Sequence, residues 1–510
     1  VSRIAIHVNP PADTALKPSR QGTVVSAHAG AAQCGARILA QGGSAVDAAI
    51  TMATVLGVVD PANCGIGGYG GGMVIHQSGN RHTTQIDFNT MVPAGFSVEG
   101  LVAAPRSGAF VHGGPAVSFP AVVAGLSAAH ADCGRLEFAD LLRPAIELAR
   151  DGFTVGEDLH NNLSWAAARH RGLSDEFRSI FFRGGVPLQR GEQLRQPALA
   201  DSLEYVAQHG RAAFHSGPLA QAVCAVAAGA GGTMSIDDFA QEEIAAAPAE
   251  TIEFGDASIH GTSAGRSGFG VLAVALERLR GRDLGLNRGQ VYIDQIFSAL
   301  SQAWAVRRTR AENLVGGARH TNHFCVADAQ GTLVSLTFTH GPLWFGSGLV
   351  APGTGIVLNA GANLFARCVA DGSIFPMTNL TPVVLDCADG SRHAIGSPGG
   401  IRIPAIVLQM ILDALVYGLP LHEAIAAPRV SVTAGGALEV EPQLLSALAA
   451  DRDAQAINTR HYYGPAAALT VTSSGDAIAA RDPRFSCAVA HAADYPTPPH
   501  LANQWKEEVQ

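Results

Sequence analysis

The sequence predicts an α+β fold in which sheets are covered by helices, within one interlocked domain spanning residues 1–510. Three observations lead there. Segments rich in Val, Thr, Phe and Ile alternate with Ala-rich segments of helical spacing. Hydrophobic residues make up 47% of the chain and charged residues 15%, which supports a large buried core and excludes a disordered chain. No internal repeat or low-complexity linker divides the sequence.

Taken in order, residues 1–22 are non-periodic and read as a surface strand or arm. From Ser26 to Ala40 small residues recur at helical spacing and stop at Gly42-Gly43. Ser44-Ala45-Val46-Asp47 has the form of a capping box and opens a second helix over 45–59. The run Gly65-Ile66-Gly67-Gly68-Tyr69-Gly70-Gly71-Gly72 satisfies G-x-G-x-x-G, with Asp87 about twenty residues on. A dinucleotide loop must open a helix, whereas this run follows one and leads into a strand at Met73–His76. The glycines are therefore read as a tight passage beside a buried site, with Thr83–Phe88 completing a hairpin. Residues 119–150 and most of the stretch to about 245 are helical by pattern. Residues 250–262 read as strands, and 268–281 and 289–306 as helices. Beyond the central hairpin, Ile356–Asn359, Thr381–Leu385 and His393–Ile395 read as strands. Ile401–Tyr417 reads as an amphipathic helix, and strands recur near 429–441 and 468–480.

The central hairpin runs from His320 to Gly341. Two arms of Val, Phe, Thr and Leu flank Ala329-Gln330-Gly331. With a three-residue loop, Thr321 faces Thr339 across the ladder, Cα atoms roughly 4.5–5.5 Å apart. Such a pair is ordinarily a cross-strand contact; it also has the form of a nucleophile and a partner. A threonine hydroxyl needs an adjacent base, which its own α-amine supplies when the residue is N-terminal. That amine has a pKa near 8, suited to neutral pH. An internal Thr321 would first require cleavage of the His320–Thr321 bond.

Composition narrows the partners. A net charge of −9 argues against nucleic acid and anionic membranes, which select basic patches. Eight Cys are scattered without C-x-x-C spacing, so no zinc or redox motif appears, and reduced buried thiols are expected. His323 and His340 lack a third ligand at metal-site spacing, and no cofactor is expected. No apolar run reaches the roughly 18–20 residues of a membrane span, nor do the first residues show a basic-then-apolar leader; a cytoplasmic protein is the expectation. Gly396-Ser397-Pro398-Gly399-Gly400 runs into a helix start, where outward N–H groups and the positive dipole end suit an oxyanion hole.

Longer motifs now add to the residue-level reading. These are Gly42–Ala49, Pro61 with Gly65–Gly72, Asp87-Phe88, Leu148–Phe153, Thr321–Asp328, Phe345-Gly346-Ser347-Gly348, Gly396–Gly400 and Asp482-Pro483-Arg484. In this set the chain resembles the γ-glutamyltranspeptidase family of N-terminal-nucleophile hydrolases along nearly its whole length. The resemblance implies a four-layer αββα sandwich made as a precursor. Thr321 would attack the His320 carbonyl, giving a large chain 1–320 and a small chain 321–510, with a dimer of such pairs as an open arrangement. Thr321 would then be the nucleophile, Thr339 its hydrogen-bonding partner, and Gly399 and Gly400 the oxyanion hole.

The family's glutamyl clamp does not carry over. Asn89 stands where an Arg normally grips the substrate α-carboxylate. Thr378-Asn379 replaces a Ser-Ser pair. The segment that normally holds an acid reads Asn359-Ala360-Gly361-Ala362-Asn363-Leu364-Phe365, so Asn363 is the candidate there. Asn cannot reproduce bidentate recognition of a carboxylate, and a missing acid leaves an ammonium unpaired. The stretch between Phe365 and Pro376 is too short for the lid loop of many members, and the linker before Thr321 is short. A more open site favours hydrolysis over transfer. The expected activity is an amidohydrolase acting on a small amide acid, oxamate-like or a dicarboxylic monoamide of the glutaryl type. The alternatives are a γ-glutamyl hydrolase or transferase acting on glutathione-like compounds, and an unprocessed, catalytically silent binding protein with the same fold.

Overall fold

The computed structural model describes residues 17–79, 81–104, 106–107, 110–239, 244–308, 321–365, 377–433, 435–449, 452–457 and 464–495. His320, the linker before it, the segment between Phe365 and Met377 and most of the N-terminal arm lie outside these residues.

The chain lays down β1 (Thr23–Ser26), α1 (Ala29–Ala40), α2 (Ala45–Val59), β2 (Gly70–Gln77), β3 (His82–Asp87), α3 (Val122–Cys133), α4 (Phe138–Asp151) and α5 (Pro197–His209). It continues with β4 (Ala247–Pro248), β5 (Glu250–Phe254), β6 (Ala257–Gly261), α6 (Phe269–Leu279), α7 (Gln290–Arg308), β7 (Thr321–Ala327) and β8 (Leu333–Thr339). Last come β9 (Val383–Cys387), β10 (Arg392–Gly396), α8 (Ile403–Leu415), β11 (Ala467–Val471), β12 (Ala477–Arg481) and β13 (Ala488–His491). One seven-stranded sheet has the order β4-β3-β2-β8-β7-β1-β13, and a six-stranded sheet has the order β5-β6-β9-β10-β11-β12.

The two-residue period of the hairpin arms builds the layers. On one face of β7 and β8, Phe324, Val326, Val334, Leu336 and Phe338 pack with residues of α1 to α5. On the other face, Cys325, Ala327 and Leu333 meet Val384, Ala394 and Leu469 of the second sheet. The outer face of that sheet, through Ile259, Val383, Leu385 and Ile395, packs on α6, α7 and α8. Helices, sheet, sheet, helices: the sandwich has four layers.

Helix α2 begins as its sequence predicts. Ser44 Oγ accepts from Asp47 N at 3.0 Å, and Asp47 accepts from Ser44 N at 2.8 Å. The same carboxylate also accepts from the backbone of Arg135 and Leu136, tying α2 to the turn after α3.

Two expectations need correction. The reading of a helix from Ser26 misses β1, because Thr-Val-Val-Ser is too short for its period to stand out from the small residues after it; α1 begins at Ala29, capped by His28. Ile401–Tyr417 was expected to be amphipathic, but Ile403–Asp413 are all buried, since α8 is covered on its far side as well. The strands expected near 429–441 are present as Val430–Val432 and Leu438–Val440, which pair with each other in a small separate sheet that Gln455–Ala456 joins through Leu438–Val440. Among the described residues no helix is long and apolar enough to cross a membrane.

Candidate active site

The hairpin register places Thr321 opposite Thr339, and β8 in turn sets Thr339 opposite Gly70 of β2. Odd-numbered side chains of β7 point to the same face, so Thr321 and His323 share the side that carries Cys325 toward the second sheet. Thr339 is buried, with its Oγ1 accepting from Gly341 N at 2.9 Å, whereas Thr321 is partly exposed at the open end.

The second sheet brings the glycines to that end. Ser335 Oγ donates to Ile395 O at 3.0 Å, and a Cβ at Gly396 would lie 2.2 Å from His323 Cε1. Ile395 and Gly396 thus cross the hairpin at Ser335 and His323, one step apart in the direction of its open end, and Ser397–Gly400 follow them in the chain. Gly399 and Gly400 have φ of 139° and 59°, a succession that L side chains rarely adopt. A single 3-10 turn, Gly400–Arg402, then leads into α8. Two glycine N–H groups at the head of a buried helix form a donor set suited to a developing oxyanion.

Three of the four expected substrate contacts lie against the loop 263–268. Asn89 follows β3, and a Cβ at Gly70 would come 2.7 Å from its Cα. Its Nδ2 donates to Asp87 Oδ1 at 2.6 Å. Thr378 N donates to the carbonyl of Arg266 at 2.7 Å. Asn89 Oδ1, Thr378 Oγ1 and Asn379 Oδ1 are buried atoms without a hydrogen-bond partner among the described residues. Asn363 is different. Its Oδ1 accepts from Val111 N at 2.8 Å, while its Nδ2 donates to the carbonyls of Val111 and Ala360. Both its N–H groups are committed to backbone, so it clamps two loops together and does not serve as the expected substrate contact.

Arg266 escaped the sequence reading. Its Nε lies 3.3 Å from Asp87 Oδ2, and its Nη2 approaches Asn89 O at 3.5 Å. The signal was a single Arg in the Ser- and Gly-rich loop Ser263–Gly268, immediately before α6.

Beneath the hairpin, Asn322 Nδ2 donates to Asp60 Oδ2 at 2.8 Å and sits 3.0 Å from Cys64 Sγ. Burial pushes the Asp60 carboxyl up to about 6, against the lowering effect of its bonds from Asn63 and Asn322. His323 pairs with Thr337 Oγ1 at 2.9 Å and Cys325 Sγ at 3.3 Å. Burial holds His170, His323 and His340 down at about 3, so all three are neutral. Among the described residues no three His, Cys, Asp or Glu are grouped to hold a metal ion.

Those histidines make the fold acid-labile. Each titrates near 6.5 when unfolded and near 3 when folded. The unfolded chain thus binds more protons below pH 6.5; the stability is fully present above that value and is lost as pH falls toward 3. Each histidine costs roughly 1 kcal/mol per pH unit within that window. Urea midpoints are expected to fall steeply between pH 6.5 and 4.5, and a flat profile there would contradict the burial argument.

With this geometry in place, comparison with known proteins is decisive at the level of family. The family model described as gamma-glutamyltranspeptidase matches residues 31–314 and 308–492. The chain belongs to the γ-glutamyltranspeptidase family. An acylase ACY 1 proenzyme of Pseudomonas sp. (strain SE83) is 30% identical, covering 84% of this chain and 85% of the relative. A glutathione hydrolase proenzyme of Escherichia coli (strain K12) is 27% identical, covering 91% of each. The crystal structure of cephalosporin acylase from Bacillus halodurans superposes with a TM-score of 0.79, covering 96% of this chain and 99% of that one at 22% identity, a likeness of fold. The sandwich is thus of the N-terminal-nucleophile hydrolase type, and the chain is a hydrolase-type member of the γ-glutamyltranspeptidase family.

Proposed function

We propose that this chain is an amidohydrolase that cleaves a C–N amide bond through an acyl-enzyme on Thr321. The observation that carries the reading is the pairing of Thr321 with Thr339 at the open end of a hairpin that β10 crosses at Ser335 and His323, a few residues before Gly399 and Gly400. In this reading the 320–321 bond is first cleaved, and the freed α-amine takes the proton from Thr321 Oγ. The Oγ attacks the substrate carbonyl, and the Gly399 and Gly400 N–H groups hold the oxygen as it becomes negative. The same proton passes to the departing amine as the C–N bond breaks. Water then attacks the ester, and the acid and free Thr321 are released.

The acyl group is read as a short acid other than γ-glutamyl, a dicarboxylic monoamide or an oxamate-like compound. Asn89 in the clamp position supports this, since its amide is turned to Asp87. Relatives carry both names, glutathione hydrolase and acylase, which is compatible with an acyl group other than γ-glutamyl. Turnover of glutaryl-p-nitroanilide and of glutathione by the same preparation tests the choice. The glutaryl substrate is expected to give a kcat/KM at least about tenfold higher, given the charged contacts a clamp supplies. Robust glutathione turnover instead would establish the γ-glutamyl reading.

A further inference from the structure

Thr321, Thr339 and Gly70 stand opposite one another on three adjacent strands, and Asn89 lies beside Gly70 as the next member of the row. Three ladder spacings separate Thr321 from Asn89, about 14 Å between backbones. Side chains from the two ends shorten that gap to the length of a small acyl group. Gly70, between them, contributes no side chain.

The far end of the row has its own chemistry. Asn89 and Thr378 are each only 2% exposed, yet Asn89 Oδ1 and Thr378 Oγ1 have no hydrogen-bond partner among the described residues. Thr262 Oγ1 and Asn379 Oδ1 are in the same condition. Thr262 packs over Gly72, and Asn379 O lies against Gly268, so all four lie around the loop that carries Arg266. Orphaned buried polar atoms are costly singly, and a group of them marks a place built for a polar occupant.

A cation stands at this place. The Arg266 guanidinium is ion-paired to Asp87, which is itself opposite Gly72 on β3. The Asp87 side chain is 7% exposed and that of Arg266 26%, so the arginine is the more accessible of the two. Its loop is braced. Arg266 O accepts from Thr378 N, and Arg307 donates to Ser267 O and Thr378 O, which ties the loop and Thr378 to the end of α7.

We propose that Arg266 is the specificity-determining residue of the acyl pocket, binding the terminal carboxylate of a short dicarboxylic monoamide while the Thr378 hydroxyl donates to the same group. This rests on the Thr321 acyl-enzyme reading for its register, and it names the acyl class. The positive charge absent from position 89 reaches the same corner from a loop 177 residues away in sequence. A guanidinium held in a braced loop near Asp87 is partly ordered before the ligand arrives, and its charge favours a carboxylate over a neutral amide of equal size.

The test compares wild type, Arg266→Ala and Arg266→Lys in two readouts. Calorimetry measures glutarate binding, which needs no turnover. Kinetics compare glutaryl-p-nitroanilide with its neutral terminal-amide counterpart. Loss of the cation is expected to weaken glutarate binding about 10- to 100-fold and to raise KM for the acid more than it lowers kcat. The neutral substrate should change by less than about threefold, and Lys should restore part of the acid preference. Arg266→Met, which keeps the aliphatic stem, repeats the measurement if the alanine variant does not fold. Absence of glutarate binding by wild type, equal binding by wild type and variants, or equal losses on both substrates overturns the proposal. Arg266-dependent glutarate binding without any acyl adduct on Thr321 would support the clamp and sink the acyl-enzyme reading alone.

Discussion

Thr321→Ala is expected to leave one intact chain of 52.6 kDa on a denaturing gel, where wild type is expected to give two fragments, the smaller beginning at residue 321. Amide turnover falls by at least about 10⁴-fold, since the change removes the nucleophile, and the uncut bond withholds the α-amine that would serve as base. Thr321→Ser keeps a hydroxyl at the same place and is expected to restore cleavage in part. Intact mass spectrometry reads both effects, and wild type incubated with substrate and quenched in acid should carry an acyl adduct on the new terminus. The same fragments from wild type and Thr321→Ala would refute autocatalysis by this residue. Thr321 is partly exposed beside a buried Thr339, as the proposed nucleophile and its fixed partner would require.

The largest loss of stability is expected far from that pair, at Asp482. Its carboxylate lies 2.9 Å from Arg429 and 3.0 Å from Arg484, and Arg484 also reaches Glu441 at 2.7 Å. The Asp482, Glu441 and Arg429 side chains are 0–2% exposed, so these charges are hidden from water and depend on one another for compensation. Asp482→Ala leaves two guanidinium groups against one carboxylate, a change worth about 3–5 kcal/mol. A thermal or urea melt reads this directly. The exposed Arg20–Asp476 pair provides the contrast, and Asp476→Ala should leave the midpoint nearly unmoved. A small effect at Asp482 would mean that water reaches the network.

Much of the site was legible because its parts are local. The register of β7 and β8 follows from a short loop and two-residue alternation, and both are visible within His320–Gly341. The glycines before α8 announce themselves by composition, and the Ser44–Asp47 capping box by spacing. What escaped is long-range. Nothing in the sequence near Asn363 shows that Val111 will engage its amide from 252 residues away. Nor does the loop at 263–268 declare that Arg266 will meet Asp87. The burial of α8 was hidden for a related reason: a helix covered on both sides differs from a surface helix in its neighbours more than in its own pattern of apolar residues. Sequence period reports which face is apolar, while the second covering layer comes from elements elsewhere in the chain.

The strand order of the seven-stranded sheet sets the terms on which a break before Thr321 could occur. β7 and β8 lie between β1 and β2, so a later part of the chain is wedged inside an earlier part, and β13 closes the edge beyond β1. A nick there changes connectivity without creating a seam along which the molecule could part. Neither product can leave without stripping hydrogen bonds from the middle of the sheet. A terminus made there would be no loose tail: it would be anchored as an interior strand, its amine and hydroxyl held at a fixed address from the moment they exist.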